Sequence, residues 1–289
     1  MTTYSPKDLS VGQLHGLLLS SVAPRPIAFA STLNEDGVPN LSPFSFFNVF
    51  SANPPIMIFS PARRVRNNTT KHTLANVKAN REVVINMVNY DMVHQMSLAS
   101  SEYPEDINEF DKSGFTMLNS EVVKPFRVAE SPVQFECKIN DIIELGSEGG
   151  AGNLIICEVV KIHVSDDVLK HDGTINQERL DLVARAGGNY YSRANRGFFE
   201  VPKPSSQLGI GVDAIPDFIR NSMILTGNDL GMLGNVVALP ENKEIKAFIE
   251  DVSERYPDIK EMSHRDKHKI AQNYLSYGDV QSAWKLLLS

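Results

Sequence analysis

Thiols are scarce in this chain. Cys137 and Cys157 are its only cysteines, no C-x-x-C spacing joins them, and each sits in an apolar strand-like run, FECKI and IICEV. They read as two small buried hydrophobes of a reducing compartment, not as a disulfide or a redox pair. Long apolar runs are missing too. Nothing approaches the roughly 18 residues that span a bilayer, and the first residues, MTTYSPKDLS, carry no basic segment followed by an apolar one. A cytoplasmic protein that does not enter a membrane is expected. Basic residues are outnumbered, 28 Lys and Arg against 35 Asp and Glu, for a formal net charge of -7. That balance speaks against nucleic acid or an anionic membrane as the main partner, since either asks for a basic face.

Side-chain catalysts are equally hard to find. His94, His163 and His171 are scattered without ligand spacing, so no metal site is expected. His264 and His268 lie four apart on an expected helix but lack a third ligand and the acid of an H-E-x-x-H motif. A solvated helix face is expected for both. No Ser-His-Asp or activated-cysteine constellation stands out, and no catalytic residue is assigned. The glycines at 146, 149, 150 and 152 lie between two strand patterns and open no helix, so they read as a hairpin loop and not as a dinucleotide fingerprint.

What is present suits a well-buried core, with 42% hydrophobic residues in 289. Leu9, Leu14, Leu17, Leu18 and Val22 mark a short helix. It runs into Pro24-Arg25-Pro26, whose prolines forbid continuation and are expected to point Arg25 away at a fixed angle. Residues 27–32 read as a strand and Asn34-Glu35-Asp36-Gly37 as a turn. A second strand is expected through Val49, and a third over 56–59 ending at Ser60.

The second strand is odd. Asn40, Leu41, Ser42, Pro43, Phe44 and Ser45 set a proline and three short polar side chains where ladder bonds and core contacts belong. Its backbone groups are expected to be free for something other than a neighbouring strand. Downstream, residues 63–73 form a basic, hydroxyl-rich loop leading into a helical pattern at 74–79. A helix start with threonine caps and flanking cations suits a phosphate. Read alone, the segment fits a capped surface helix with solvated charges better. A short helix with an Asp cap is expected over 91–99, a turn at Lys112-Ser113-Gly114, and strands over 82–88, 133–145 and 154–164. Six or so strands without βαβ alternation favour an antiparallel barrel.

Taken together, these motifs resemble the flavin-reductase-like family, which includes flavoredoxin. The resemblance is carried by Pro24-Arg25-Pro26-Ile27-Ala28, Ser31-Thr32, and Gly37 followed by Asn40-Leu41-Ser42-Pro43-Phe44-Ser45. It continues through Lys71-His72-Thr73 with Asn76-Val77, then Glu109-Phe110, Ser131-Pro132 with Phe135-Glu136-Cys137, and Glu158-Val159-Val160. It closes on Ala184-Arg185-Ala186-Gly187-Gly188 with Tyr190-Tyr191. The family implies a mainly β fold with helical additions: a six-stranded antiparallel FMN-binding split β-barrel over 1–202, to which this chain adds a helical extension over 203–289.

By the same resemblance, residues 40–45 would lie along the isoalloxazine and ribityl chain with backbone amides addressing the ring. Ser60 would lie nearby, and Lys71, His72 and Thr73 would form the 5′-phosphate end. His72 stands where the family usually has Asp. Tyr190 and Tyr191 are candidates for the substrate side. The implied activity is NAD(P)H-dependent flavin reduction, with NADH or NADPH bound transiently and hydride passed to N5. The alternatives are a flavoredoxin-type electron carrier serving a protein partner, or a non-catalytic flavin-binding protein. A homodimer is also implied.

Beyond the barrel, Pro202-Lys203-Pro204-Ser205-Ser206 reads as a linker. An apolar helix is expected over 215–225, with glycine-rich turns on either side. An amphipathic helix follows, carrying Ile245, Phe248, Ile249 and Val252. Two more helices are expected over 264–275 and 279–288, the last holding the only tryptophan, Trp284.

Overall fold

The computed structural model describes residues 1–104, 107–202 and 207–289. Residues 203–206 of the expected linker lie outside the described residues. The chain divides into two compact units, Met1–Phe199 and Glu200–Ser289.

The first unit begins with α1 (Val11–Ser21), started by a capping box in which the Ser10 hydroxyl accepts the Gln13 N–H and the Gln13 side chain accepts the Ser10 N–H. Then come β1 (Ala28–Leu33), β2 (Pro39–Phe44), β3 (Phe47–Ala52), β4 (Pro55–Phe59), α2 (His72–Asn80) and β5 (Glu82–Met87). Two short helices follow, α3 (Val93–Leu98) and α4 (Glu109–Ser113), with the two-residue strands β6 (Met117–Leu118) and β7 (Arg127–Val128). The unit ends with β8 (Val133–Glu144), β9 (Asn153–Val164), α5 (Gln177–Leu180), β10 (Val183–Arg185) and β11 (Tyr191–Arg193).

Seven of these strands make one antiparallel sheet in the order β2-β1-β5-β8-β9-β4-β3. The expected second strand, running through Val49, is two strands here. It breaks at Ser45 and Phe46, after Pro43 and Phe44, and the chain changes from one edge of the sheet to the other. The sheet's two edges are therefore joined covalently by two residues. They converge there without pairing along their length, and the result is a split barrel.

Side chains alternate across it. Ala28, Ala30, Phe44, Phe59, Ile85, Cys137, Ile139, Ile155 and Cys157 fill the interior, with Leu74 and Val77 of α2 packed against them. Ile27, Phe29, Leu41 and Val88 face the other way, into a layer with Met92, Met96, Phe110 and Phe115. Both cysteines are free and buried, as expected. Burial pushes the Cys137 and Cys157 thiols far up, so neither forms a thiolate near neutrality. The helix expected over 91–99 is shorter, and Met92 stands at its N-cap with no capping side chain.

The second unit comprises α6 (Asp217–Arg220), α7 (Gly227–Gly234), α8 (Asn242–Val252), α9 (His264–Ser276) and α10 (Val280–Leu287). The apolar helix expected over 215–225 shrinks to the single turn α6. The Ser222 hydroxyl accepts the Ile224 and Leu225 N–H groups, offering the backbone an alternative to the helix. Gly209 is needed for close approach, since a Cβ there would sit 2.5 Å from the Gly234 carbonyl. His268 is not on a solvated face. It is 5% exposed, and its Nδ1 meets the Ser222 hydroxyl at 2.7 Å. No helix among the described residues is long and apolar enough to cross a membrane.

Trp284 anchors this unit's core with Ile219, Leu233, Ala271 and Leu275, and its indole N–H donates to the Leu233 carbonyl at 3.0 Å. As the sole tryptophan it reports this unit alone. Leu233→Ala should cost about 2–5 kcal/mol by cavity formation. The urea midpoint of Trp284 fluorescence should fall accordingly; an unmoved midpoint would show that Leu233 is not in the tryptophan's cooperative unit.

Candidate functional site

β2 is an edge strand, so its outer edge is open to something other than a neighbouring strand. The Leu41 N–H points outward, to the Glu109 Oε2 at 3.0 Å, so by alternation residues 40, 42 and 44 face β1 while 39, 41 and 43 face out. Pro39 and Pro43 have no N–H to offer, and Glu109 occupies that of Leu41. The expected row of free amides is therefore a row of carbonyls, with the Ser45 N–H the one amide among residues 40–45 that has no partner among the described residues. Prolines at outward positions are also how an edge strand avoids pairing with another strand.

Glu109 is 4% exposed at the start of α4. Burial pushes its carboxyl above the ordinary carboxylate range, opposed by the Leu41 N–H, its own N–H and the Lys71 ammonium. It ties α4 to β2, and its position in the motif Glu109-Phe110 was the only sign of it in the sequence.

At one end of β2, a buried polar network sets the frame. The Asn40 side-chain amide donates to the Thr73 hydroxyl at 2.9 Å and, at 3.4 Å, to that of Thr32, which also accepts from Asn76 at 3.0 Å. Asn40 and Thr73 are thus brought together, but both are buried and committed to each other. What Thr73 leaves for a ligand is its backbone N–H. The amides of His72 and Thr73, in the first turn of α2, donate to nothing among the described residues. The expected threonine caps are absent: Lys71 is the N-cap, without a side-chain cap bond.

Lys71 is half-buried and makes no ion pair among the described residues. Burial first, then the neighbouring Arg64 guanidinium, pull its ammonium below the ordinary lysine value, with Glu102 and Glu109 opposing. Arg64 and Arg66 share the Glu102 carboxylate, at 3.1 and 2.6 Å. The loop from Arg63 to Thr70 is held from behind by the β8–β9 hairpin: the Arg63 N–H donates to the Ala151 carbonyl at 2.8 Å, and the Gly150 N–H to that of Arg63 at 2.9 Å. The glycine-rich hairpin supports the basic loop. A Cβ at Gly149 would lie 3.1 Å from the Arg64 carbonyl. Desolvated cations and free helix-start amides together make an anion site that fits a phosphate.

At the other end of β2 stands Arg25. Contrary to the expectation that the prolines point it away, it is 6% exposed. Its Nη1 donates to the Leu19 and Val22 carbonyls, both at 2.5 Å, its Nη2 to Ala186 at 3.2 Å, and its Nε lies 3.5 Å from the Ser45 hydroxyl. α1 ends with carbonyls that need donors, and the guanidinium meets them. Ser60 lies at the same corner. Its N–H donates to Phe46 at 2.8 Å and its hydroxyl accepts from Asn153 at 3.0 Å, so it latches β9 to the chain crossing. Ser42 makes no side-chain bond among the described residues, while Phe44 packs inward against Phe59 with ring centroids 5.4 Å apart.

Tyr190 and Tyr191 separate. Tyr190 is 78% exposed, whereas Tyr191 lines a cavity of about 380 Å³ between α3 and the β10–β11 hairpin. Among the described residues, no group of His, Cys, Asp and Glu is placed to hold a metal.

Comparison with known proteins places this geometry. Residues 19–185 match the model of the flavin reductase like domain. An uncharacterized protein of Aquifex aeolicus is 37% identical over 188 residues, 65% of this chain and 93% of that one. The solved nitrilotriacetate monooxygenase component B from Bacillus cereus is 28% identical, with a TM-score of 0.65 over 70% of this chain and 98% of that one. The 2-nitrobenzoate 2-nitroreductase NbaA from Pseudomonas fluorescens is 27% identical, with a TM-score of 0.62 over 70% and 96%. The helical second unit lies beyond the matched residues.

The Glu109 clamp generates a pH signature. Because burial raises its folded pKa above the unfolded one, the folded state binds the extra proton in the window between them. Stability therefore falls as pH rises from the ordinary carboxylate value through the raised one. Glu109→Gln keeps an acceptor for Leu41 without the charge, so its stability relative to the native chain should improve across that window. Glu109→Ala leaves a buried N–H unpaired and should cost about 1–3 kcal/mol. Urea melts of both variants at pH 4 and pH 8 check the pattern, and a pH-independent gap for Glu109→Gln would refute it.

Proposed function

The chain belongs to the flavin reductase-like family, and from that premise we propose that it is an FMN-binding oxidoreductase that takes electrons from NADH or NADPH. The observation that carries the reading is the chemistry at the two ends of β2. At one end, Lys71 and the free His72 and Thr73 amides supply an anion site. At the other, the Arg25 guanidinium, with no carboxylate partner among the described residues, stands beside Ser45.

In this reading, Lys71, Arg64 and the first turn of α2 hold the 5′-phosphate. The outward carbonyls of Leu41 and Pro43 and the Ser45 N–H orient the ring system along β2. A flavin held by these residues would supply the redox chemistry, taking a hydride from a dihydronicotinamide that would leave oxidised. Arg25 places a fixed positive charge near the Ser45 end, where it would favour negative charge on a ring held there, without reorganisation. With no nucleotide-binding fingerprint in the sequence, the nicotinamide would bind only transiently.

Val49 and Phe50 on β3 are 58% and 63% exposed, and Leu18 and Val22 near the end of α1 are 54% and 62% exposed. These exposed apolar side chains are the ones a second copy would cover. A homodimer follows, with a light-scattering mass twice the 32.0 kDa chain; a mass of one chain would count against it.

The deciding experiment is anaerobic titration of the FMN-loaded protein with each nicotinamide. Bleaching of the flavin band by NADH or NADPH is expected. A flavin that neither reduces, but a reduced redox protein does, would move the assignment to a flavoredoxin-type carrier. Lys71→Met should weaken FMN about tenfold or more, the loss of one charge-assisted phosphate contact. It should weaken riboflavin, which has no phosphate, far less; equal losses for both flavins would move the phosphate away from Lys71.

A further inference from the structure

The cavity that holds Tyr191 has an electrical polarity that the FMN assignment does not use. Its walls carry two guanidinium–tyrosine stacks: Arg193 lies 3.8 Å from the Tyr90 ring centroid, and Arg185 lies 4.6 Å from that of Tyr191. The two arginines are not equivalent. Arg193 is paired with Asp181, at 2.5 Å, and the Asp181 hydrogen bond and charge raise its pKa, with Asp91 adding in the same direction. Its charge is balanced.

Arg185 has no carboxylate partner among the described residues. Its Nη1 donates to the Tyr190 carbonyl at 3.0 Å, and its Nε and Nη2 donate to nothing among them. It also adjoins a like charge. The Arg25 N–H donates to the Arg185 carbonyl at 2.9 Å, the Arg185 N–H donates to the Arg25 carbonyl at 2.8 Å, and Arg185 helps depress the Arg25 pKa. Two adjacent guanidiniums without a counter-charge, one with an open Nε/Nη2 edge, form a bidentate anion receptor. The balanced Arg193–Tyr90 stack at the other wall offers a neutral planar ligand a flat face.

We propose that this cleft docks a nucleoside phosphate, the adenylate portion of a dinucleotide, with its phosphate on Arg185 and its base against the Tyr90–Arg193 wall. The inference rests on the reading above that a dinucleotide is the electron donor. About 380 Å³ falls near the lower end of the roughly 300–1,000 Å³ of small-molecule sites, room for part of a dinucleotide and not the whole. Arg25 connects the cleft to β2, since its backbone pairs with Arg185 while its side chain reaches the Ser45 hydroxyl. A ligand with its adenylate in the cleft therefore has its other end within reach of the Ser45 corner. His94 and Asn189, both exposed on the cleft wall, are further polar contacts for the ribose and phosphate.

The adenylate could come from a nicotinamide dinucleotide or from FAD, and the experiment separates them. The full-length, FMN-loaded protein is titrated calorimetrically with 5′-AMP, which needs no electron transfer. AMP should bind, and Arg185→Gln should weaken it about tenfold or more, the weight of one charge-assisted hydrogen bond, with FMN affinity unchanged. Tyr191→Leu, which removes the platform under Arg185, is the second variant and should also weaken AMP.

If the nicotinamide dinucleotide is the source, Arg185→Gln raises its KM by the same factor at unchanged kcat. If FAD is the source, the variant loses FAD affinity relative to FMN and the KM stays put. AMP that fails to bind, or binds both variants as tightly as the native chain, overturns the proposal. Should AMP binding behave as expected while neither nicotinamide reduces the flavin, the electron-donor reading falls and the nucleoside phosphate site stands.

Discussion

The whole first unit depends on one topological constraint: the two edge strands of its sheet are joined by Ser45 and Phe46. Edges tied so tightly must meet, yet β2 and β3 do not pair, and two unpaired edges side by side invite either closure or a ligand. The protein prevents closure chemically. Pro39 and Pro43 remove outward N–H groups from β2, and Glu109 occupies that of Leu41. A strand that looks damaged when judged as a sheet member is a carbonyl-lined edge held open.

Holding it open requires rigidity at both ends, and the two ends are built differently. The Asn40 end is pinned by neutral side-chain bonds among Thr32, Thr73 and Asn76, all buried, where a satisfied network is stiff and a broken one costly. The Ser45 end is pinned by Arg25, whose charge is met by the carbonyls of Leu19, Val22 and Ala186 and by no carboxylate among the described residues. Carbonyls satisfy hydrogen bonds without cancelling charge. A chain with net charge -7 thus places the cations Lys71, Arg25 and Arg185 close to the edge it leaves open, with Glu102 and Glu109 opposing the shift on Lys71.

The barrel was legible because its signal is local. The apolar runs of β5 and β9, the alternation in β8, the Asn34-to-Gly37 turn and the proline in β2 each carry their meaning within a few residues. The same locality explains the failures. Nothing near Arg25 says that α1 turns its terminal carbonyls toward it. Nothing near Thr73 reveals that its hydroxyl faces Asn40, 33 residues away. The strand break at Ser45 was visible as irregularity, but its consequence, a jump between opposite sheet edges, depends on β9 pairing with β4. In the second unit, α8 followed from its apolar spacing, and α9 and α10 fall where the two further helices were expected. His268 misled because two histidines four apart look like a polar stripe, when one of them packs against Ser222.

Glu109 and Lys71 show how the frame and the anion site share one electrostatic balance. Each shifts the other: the carboxylate favours charged Lys71, and the ammonium favours charged Glu109, while burial works against both. An anion arriving at Lys71 restores what burial removed and holds the ammonium charged. The same anion would act on Glu109 in the direction that burial already does, against the charged carboxylate. Ligand charge at one end of β2 is thereby felt at the backbone clamp of its middle. The carboxylate that clamps the middle of β2 and the cation at its end thus belong to one charge balance.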